Sequence, residues 1–116
     1  MRICEKVKEI LCDKPNLARI NRPCLVVGDI HGHFYDMIHM FDLYLDHPAF
    51  EHTETSKKKN TKRSFEDYDI LFLGDYIDRG IKDVEVLLFL YCLMICHPKQ
   101  VVMLRGNHED EYVTEN

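Results

Sequence analysis

Three segments of this 116-residue chain share a pattern: an apolar run, a glycine, then a residue with an oxygen donor. They read Val27-Gly28-Asp29, Leu73-Gly74-Asp75 and, with one intervening arginine, Leu104-Arg105-Gly106-Asn107. Further polar residues follow closely: His31 after the first, Asp78 and Arg79 after the second, His108 directly after the third. A single Gly-Asp after a strand is ordinarily a turn or helix cap, because both residues favour turn geometry, and glycine lets a backbone turn sharply. Three such endings mean more if the strands are parallel, since their C-terminal ends then share the edge where open α/β folds place ligands. Two carboxylates, a carboxamide and two imidazoles gathered there form a mixed nitrogen and oxygen donor set suited to divalent transition metals.

The chemistry follows from the donors. A pair of ions, typically ~3.5–4 Å apart, needs a bridging carboxylate, lowers the pKa of a shared water and clamps an in-line displacement at phosphorus. Asp75, on the middle segment, is the expected bridge; Asp29 and His31 complete one ion's protein ligands, and Asn107 serves the other. Arg79 stays protonated and is no ligand, but its fork fits phosphate oxygens. His108 cannot readily share a metal with its neighbour Asn107 and still point the same way. A free imidazole there can donate a proton to a leaving alkoxide, with Asp78 holding its other ring nitrogen in the needed tautomer or forming a plain salt bridge to Arg79.

These side chains need elements to hold them. Ile3, Val7, Ile10 and Leu11 recur at helical spacing, so a helix is expected over Arg2 to Cys12, ended by Asp13-Lys14-Pro15-Asn16. Cys24-Leu25-Val26-Val27, Ile70-Leu71-Phe72-Leu73 and Val101-Val102-Met103-Leu104 read as short buried strands. A helical stripe runs from about Tyr35 to Leu45, and Asp83 to Cys96 reads as a buried core helix, too short at Val84–Cys96 to span a bilayer. The order α-β-α-β-α-β favours a parallel sheet with covering helices. Residues 51–66 carry almost no apolar content and include Lys57-Lys58-Lys59-Asn60-Thr61-Lys62-Arg63. That stretch is expected to be an exposed insertion, its basic run either a solvated loop or a nuclear-import signal.

Composition bounds the alternatives. At 46% hydrophobic and 30% charged, with 5 Gly and 4 Pro, the chain can build one packed core and is not a low-complexity or disordered sequence. The net charge of -5 argues against a general nucleic-acid binder, and no membrane segment is expected. Five cysteines, odd in number and with no C-x-x-C pair, read as reduced core thiols. With no signal-peptide pattern at the N-terminus, they point to cytoplasm or nucleus. His39, His47, His52 and His97 lack partners at ligand spacing and read as ordinary surface or helix-end residues.

Gly28-Asp29-Ile30-His31-Gly32, Gly74-Asp75-Tyr76-Ile77-Asp78-Arg79-Gly80 and Leu104-Arg105-Gly106-Asn107-His108-Glu109 resemble, in order, the three signature motifs of the phosphoprotein phosphatase family of Ser/Thr-specific protein phosphatases. The flanks are also similar: Cys4-Glu5-Lys6 with Ile10-Leu11, Pro15-Asn16-Leu17 before Pro23, Phe34-Tyr35-Asp36, and Pro98 before the third strand. The resemblance covers about Ile3 to Leu45 and Tyr68 to Glu109. It implies an α/β fold, the N-terminal part of a calcineurin-like metallophosphoesterase β-sandwich flanked by helices. By the resemblance Asp29 and His31 bind one metal, Asp75 bridges, Asn107 binds the second, Arg79 holds phosphate, and His108 with Asp78 supplies the general acid. The implied cofactors are two divalent ions of the manganese, iron or zinc type. The implied partners are phosphoprotein substrates and regulatory subunits.

Four departures accompany the resemblance. The sequence stops soon after the third motif, where the family's domain supplies two further His ligands and another phosphate-binding Arg. The gap between the first two motifs is longer than usual. His33 stands where Gln is frequent and reads as a surface or supporting residue, and Asp110-Glu111 stands where a Cys or small residue is common. The chain therefore reads as a partial Ser/Thr phosphatase domain over residues 1–116, not expected to turn over substrate alone. The competing readings are a truncated pseudo-phosphatase that binds partners without turnover and a dinucleotide polyphosphate hydrolase of the same superfamily.

Overall fold

The computed structural model describes residues 2–46 and 63–115. In chain order they form α1 (Arg2–Cys12), β1 (Cys24–Val27), α2 (Phe34–Tyr44), β2 (Leu45–Asp46), β3 (Arg63–Ser64), a 3-10 turn (Phe65–Asp67), β4 (Asp69–Phe72), α3 (Asp83–Cys96), β5 (Val101–Met103) and α4 (Glu111–Thr114). The three apolar runs form one parallel sheet in the order β1-β4-β5, with β4 in the middle. The expected parallel α/β arrangement is therefore present, and all three strands deliver their C-terminal ends to one edge.

The register explains the core. Leu25, Ile70 and Val101 form one row across the sheet and Val27, Phe72 and Met103 another. By strand alternation both rows face the same way, and Val27, Ile70, Phe72 and Val101 are buried there. Phe41 of α2 and Val86, Leu90 and Met94 of α3 belong to the same core cluster, with the Phe41 and Phe72 rings edge to face at 6.1 Å. The intervening row, Val26, Leu71 and Val102, lies on the other face, where Val26 is 56% exposed.

Three expectations need correction. α3 is not buried all round: Val84 (65% exposed), Leu88, Cys92 and Cys96 recur every fourth residue along an outer stripe, because the helix meets α1, α2 and β5 on one side only. The cysteines are free, but Cys4, Cys12, Cys92 and Cys96 are exposed rather than core residues, and Cys24 is half-buried. Of the stretch expected to be an exposed insertion, 51–62 lies outside the described residues, and its end at 66 is set too late. Arg63–Ser64 pairs in parallel with Leu45–Asp46, and Phe65 is 2% exposed. The Gln100 amide donates to the Phe65 and Tyr68 carbonyls, and Arg22 bonds Asp69 Oδ1 at 2.7 Å and the Glu66 carbonyl at 2.9 Å, so the chain re-enters the core on fixed supports.

Candidate metal centre

The loops leaving the three strands are stitched together through their backbones. Ile30 and His31 N–H both donate to the Asp75 carbonyl at 2.9 Å, and Gly32 N–H donates to the Tyr76 carbonyl at 2.9 Å. These bonds require an unusual main chain. His31 (φ 47°), Asp75 (φ 54°), Asp78 (φ 68°) and Arg79 (φ 67°) are the described non-glycine residues in the left-handed region, and all four were singled out from the sequence as site residues. Such positions cost roughly 1–3 kcal/mol each and persist only where the surroundings over-determine them. At Gly74 (φ 111°) a Cβ would also overlap the backbone nitrogen of Gly106, while at Gly106 it would overlap Asp75. The sharp-turn reading fails at Gly28, where a Cβ would meet nothing.

Glu109 supports this crossing, and no role was read for it in the sequence. Its Oε2 accepts from Asp75 N–H and Gly106 N–H, both at 2.8 Å, and its Oε1 accepts from Tyr76 N–H at 2.7 Å. One carboxylate thus ties the second motif to the third. The signal available was its spacing: an acid three residues after a loop glycine can bond back to that N–H, as in a capping box. Buried Tyr76 adds a second tie, its hydroxyl donating to the Leu104 carbonyl at 2.6 Å. Burial, and then the nearby Glu109 charge, push the Tyr76 phenol well above the usual tyrosine range.

His31 is 7% exposed, and its Nδ1 lies 2.8 Å from the Ile77 carbonyl. A carbonyl only accepts, so Nδ1 carries the proton and Nε2 presents a lone pair. Nε2 is buried with no hydrogen-bond partner and lies 3.6 Å from Asp29 Oδ2 and 3.9 Å from Asp75 Oδ2. Those separations are too long for hydrogen bonds. Each is a separation that two donors sharing a cation take, since ligand bonds of ~2.0–2.2 Å set neighbouring donors about 3–4 Å apart, although the cluster whose donors are all mutually close joins His31 and Asp75 to His108 and not to Asp29. A histidine whose far nitrogen is fixed by a carbonyl is also the usual state of a ligand histidine.

His108 is placed differently. Its Nδ1 is 2.9 Å from Asp78 Oδ2, its Nε2 is 3.3 Å from an Arg79 terminal nitrogen, and its N–H donates to Asp75 Oδ1 at 3.0 Å. His31, Asp75 and His108 have donor atoms within 4.8 Å of one another, but both ring nitrogens of His108 are engaged whereas Nε2 of His31 is not. The plain Asp78–Arg79 salt bridge is not what forms; Asp78 pairs with His108. Asp78 is itself held by its N–H, which donates to Asp83 Oδ2 at 3.1 Å.

Asp29, His31, Asp75, Asp78, Arg79 and His108 are therefore brought to one sheet edge. Asn107 stands between two anchored N–H groups but is exposed, with no side-chain hydrogen bond among the described residues. His33 makes a local contact to the Ile30 carbonyl at 3.4 Å, and His97 packs edge to face on Phe65. His47 and His52 lie outside the described residues.

Comparison with known proteins agrees with this geometry. Residues 22–116 match the family model described as calcineurin-like phosphoesterase. The chain is 37% identical over 113 residues to a protein phosphatase 2A catalytic subunit of Dictyostelium discoideum, covering 97% of this chain and 30% of that protein. It is 34% identical to serine/threonine-protein phosphatase PP1-1 of Saccharomyces cerevisiae, covering 97% of this chain and 31% of that one. Among solved structures, a protein serine/threonine phosphatase from Saccharomyces cerevisiae with similarity to human phosphatase PP5 superposes with a TM-score of 0.71 at 29% identity, covering 98% of this chain and 33% of that chain. The chain spans about a third of the length of these relatives.

Proposed function

The chain belongs to the calcineurin-like phosphoesterase family, and we propose that it carries the metal-binding and proton-donating part of a Ser/Thr protein phosphatase site. The substrates would be phosphoserine and phosphothreonine in proteins. The observation that carries the reading is the buried, unpartnered Nε2 of His31 facing two carboxylates. Asp29, His31 and Asp75 would hold one divalent ion and Asp75 with Asn107 would contribute to a second. Such ions, of the manganese, iron or zinc type, supply an activated water and charge neutralisation at phosphorus.

The rest falls to the chain's own side chains. Arg79 is exposed beside the site, and its guanidinium would take two phosphate oxygens in a charge-assisted pair. Its present contact to His108 Nε2 is long, at 3.3 Å. An arriving phosphate would draw Arg79 off that nitrogen, so that Nε2 takes a proton from solvent and faces the leaving oxygen. In its imidazolium form His108 would then give the Nε2 proton to the departing serine or threonine alkoxide, while Asp78 holds Nδ1–H and stabilises the cation before transfer. Five free thiols suit a reducing compartment, cytoplasm or nucleus.

The test is leaving-group dependence in a complete domain. His108→Asn should lower kcat about 10²–10⁴-fold on a phosphoserine peptide, the span typical of general acid catalysis, and much less on an aryl phosphate whose leaving group needs no proton. Equal losses on both would remove His108 from the acid role. Preference of the parent enzyme for a dinucleotide polyphosphate over phosphopeptide would overturn the substrate class.

A further inference from the structure

Asp83 opens α3, and an acid in a first helical turn ordinarily serves the helix's own free N–H groups. Here the carboxylate turns away from them. Its Oδ2 accepts from the N–H of Asp78, five residues back, at 3.1 Å. Its Oδ1 is buried with no hydrogen-bond partner among the described residues. The first motif closes over that oxygen: a Cβ at Gly32 would run into it, and a Cβ at Gly80 would run into the His31 carbonyl. Lys82 N–H donates to the Gly32 carbonyl at 3.2 Å. The start of α3 is thus packed against the first motif while its first side chain holds the second.

The Asp83 bond falls where the main chain needs it. Asp78 (φ 68°) and Arg79 (φ 67°) are both left-handed, a conformation that persists only where the surroundings over-determine it. Among the described residues, the bond from Asp78 N–H to Asp83 is the one hydrogen bond that their main chain makes. The Asp78 carboxylate then meets His108 Nδ1 at 2.9 Å, and the His108 ring stands edge to face on His31 with centroids 4.8 Å apart. His31 has its own supports, from Nδ1 to the Ile77 carbonyl and from its N–H to the Asp75 carbonyl.

We propose that Asp83 is a positioning residue for the proton donor: it fixes the Asp78 main chain, and through it the Asp78 carboxylate against His108. This rests on the acid role given to His108 above. Loss of Asp83 should therefore impair protonation of the leaving group and spare ion binding.

The test uses a complete domain. Asp83→Ala, checked for fold by circular dichroism, should lower kcat on a phosphoserine peptide about 10–10²-fold, the scale of a misplaced catalytic group, and change it little on an aryl phosphate. Hydrogen exchange at the Asp78 amide should quicken at least about tenfold as its local opening becomes easier. The Asp75 and Tyr76 amides, held by Glu109, should stay as protected as in the parent, and calorimetry should show manganese binding retained. Asp83→Asn keeps an oxygen for the Asp78 N–H and should recover most of the loss. If Asp83→Ala does not fold, Asp83→Glu, which keeps the charge but moves the carboxylate by one methylene, should show the same selective loss. Equal losses on both substrates in the folded variant, an Asp78 amide exchanging as in the parent, or an Asp83→Asn as impaired as Asp83→Ala would overturn the proposal. His108→Asn measured alongside separates the two levels. If its losses are equal on both substrates, the acid role falls and this proposal with it; if they are selective and those of Asp83→Ala are not, only the role of Asp83 falls.

Discussion

Glu109 is the side chain that makes the most bonds between the second and third motifs. Its carboxylate receives three backbone N–H groups, from Asp75, Tyr76 and Gly106. Glu109→Ala leaves those donors without acceptors, each costing about 1–3 kcal/mol where water cannot replace the carboxylate. The variant should lose about 2–4 kcal/mol in urea unfolding. Glu109→Gln should lose less, because one amide oxygen still accepts on one side while its NH₂ confronts a donor on the other. Tyr76 makes a pH-dependent contribution whose sign follows from burial. The folded chain keeps its phenol protonated above the ordinary tyrosine pKa, whereas the unfolded chain ionises at about pH 10. The folded state then binds more protons, so stability is full below about pH 10 and falls as pH rises beyond it. Tyr76→Phe should lose about 1 kcal/mol at neutral pH with its bond to Leu104 and lack this part of the alkaline loss, as urea midpoints at about pH 8 and about pH 10.5 would show.

At the scale of elements, periodicity carried most of the fold. α1 and α3 lie at the positions their spacing predicts, and the three strands are displaced by at most one residue from the apolar runs. Their parallel pairing brings together Asp29, His31, Asp75 and His108, so the convergence of these candidate residues on one edge was legible in the strand order. Other features left no local trace. α3 is apolar on nearly every side, so its sequence has no polar face to say which side is covered. β2 and β3 pair over two residues each, too few to show a period. The left-handed backbone at His31, Asp75, Asp78 and Arg79 is imposed by cross-loop bonds on residues that do not prefer it, and Glu109 acts on N–H groups whose direction only the tertiary fold sets. The two faces of α3 can be told apart experimentally. Leu88→Lys on the outer stripe should change stability by no more than about 0.5 kcal/mol. Leu90→Ala, fully buried, should cost about 2–5 kcal/mol, both read from urea unfolding.

At the scale of the whole molecule, the chain combines a sheet covered by helices on one face with an apolar row, Val26, Leu71 and Val102, on the other. Its residues divide unequally between the two proposed ions. His31 Nε2 lies near both the Asp29 and the Asp75 carboxylates, so three residues are proposed for one ion, whereas only Asp75 and the exposed Asn107 are proposed for the other. Catalytic zinc sites ordinarily use three protein ligands, so the 116-residue chain should hold one ion firmly. Titration with manganese followed by calorimetry, on the parent chain and on His31→Ala with circular dichroism as the fold control, tests this most directly. The account predicts one tightly bound ion per parent chain and loss of that binding in folded His31→Ala. Absence of binding by the parent chain, or equal affinity in His31→Ala, would contradict it.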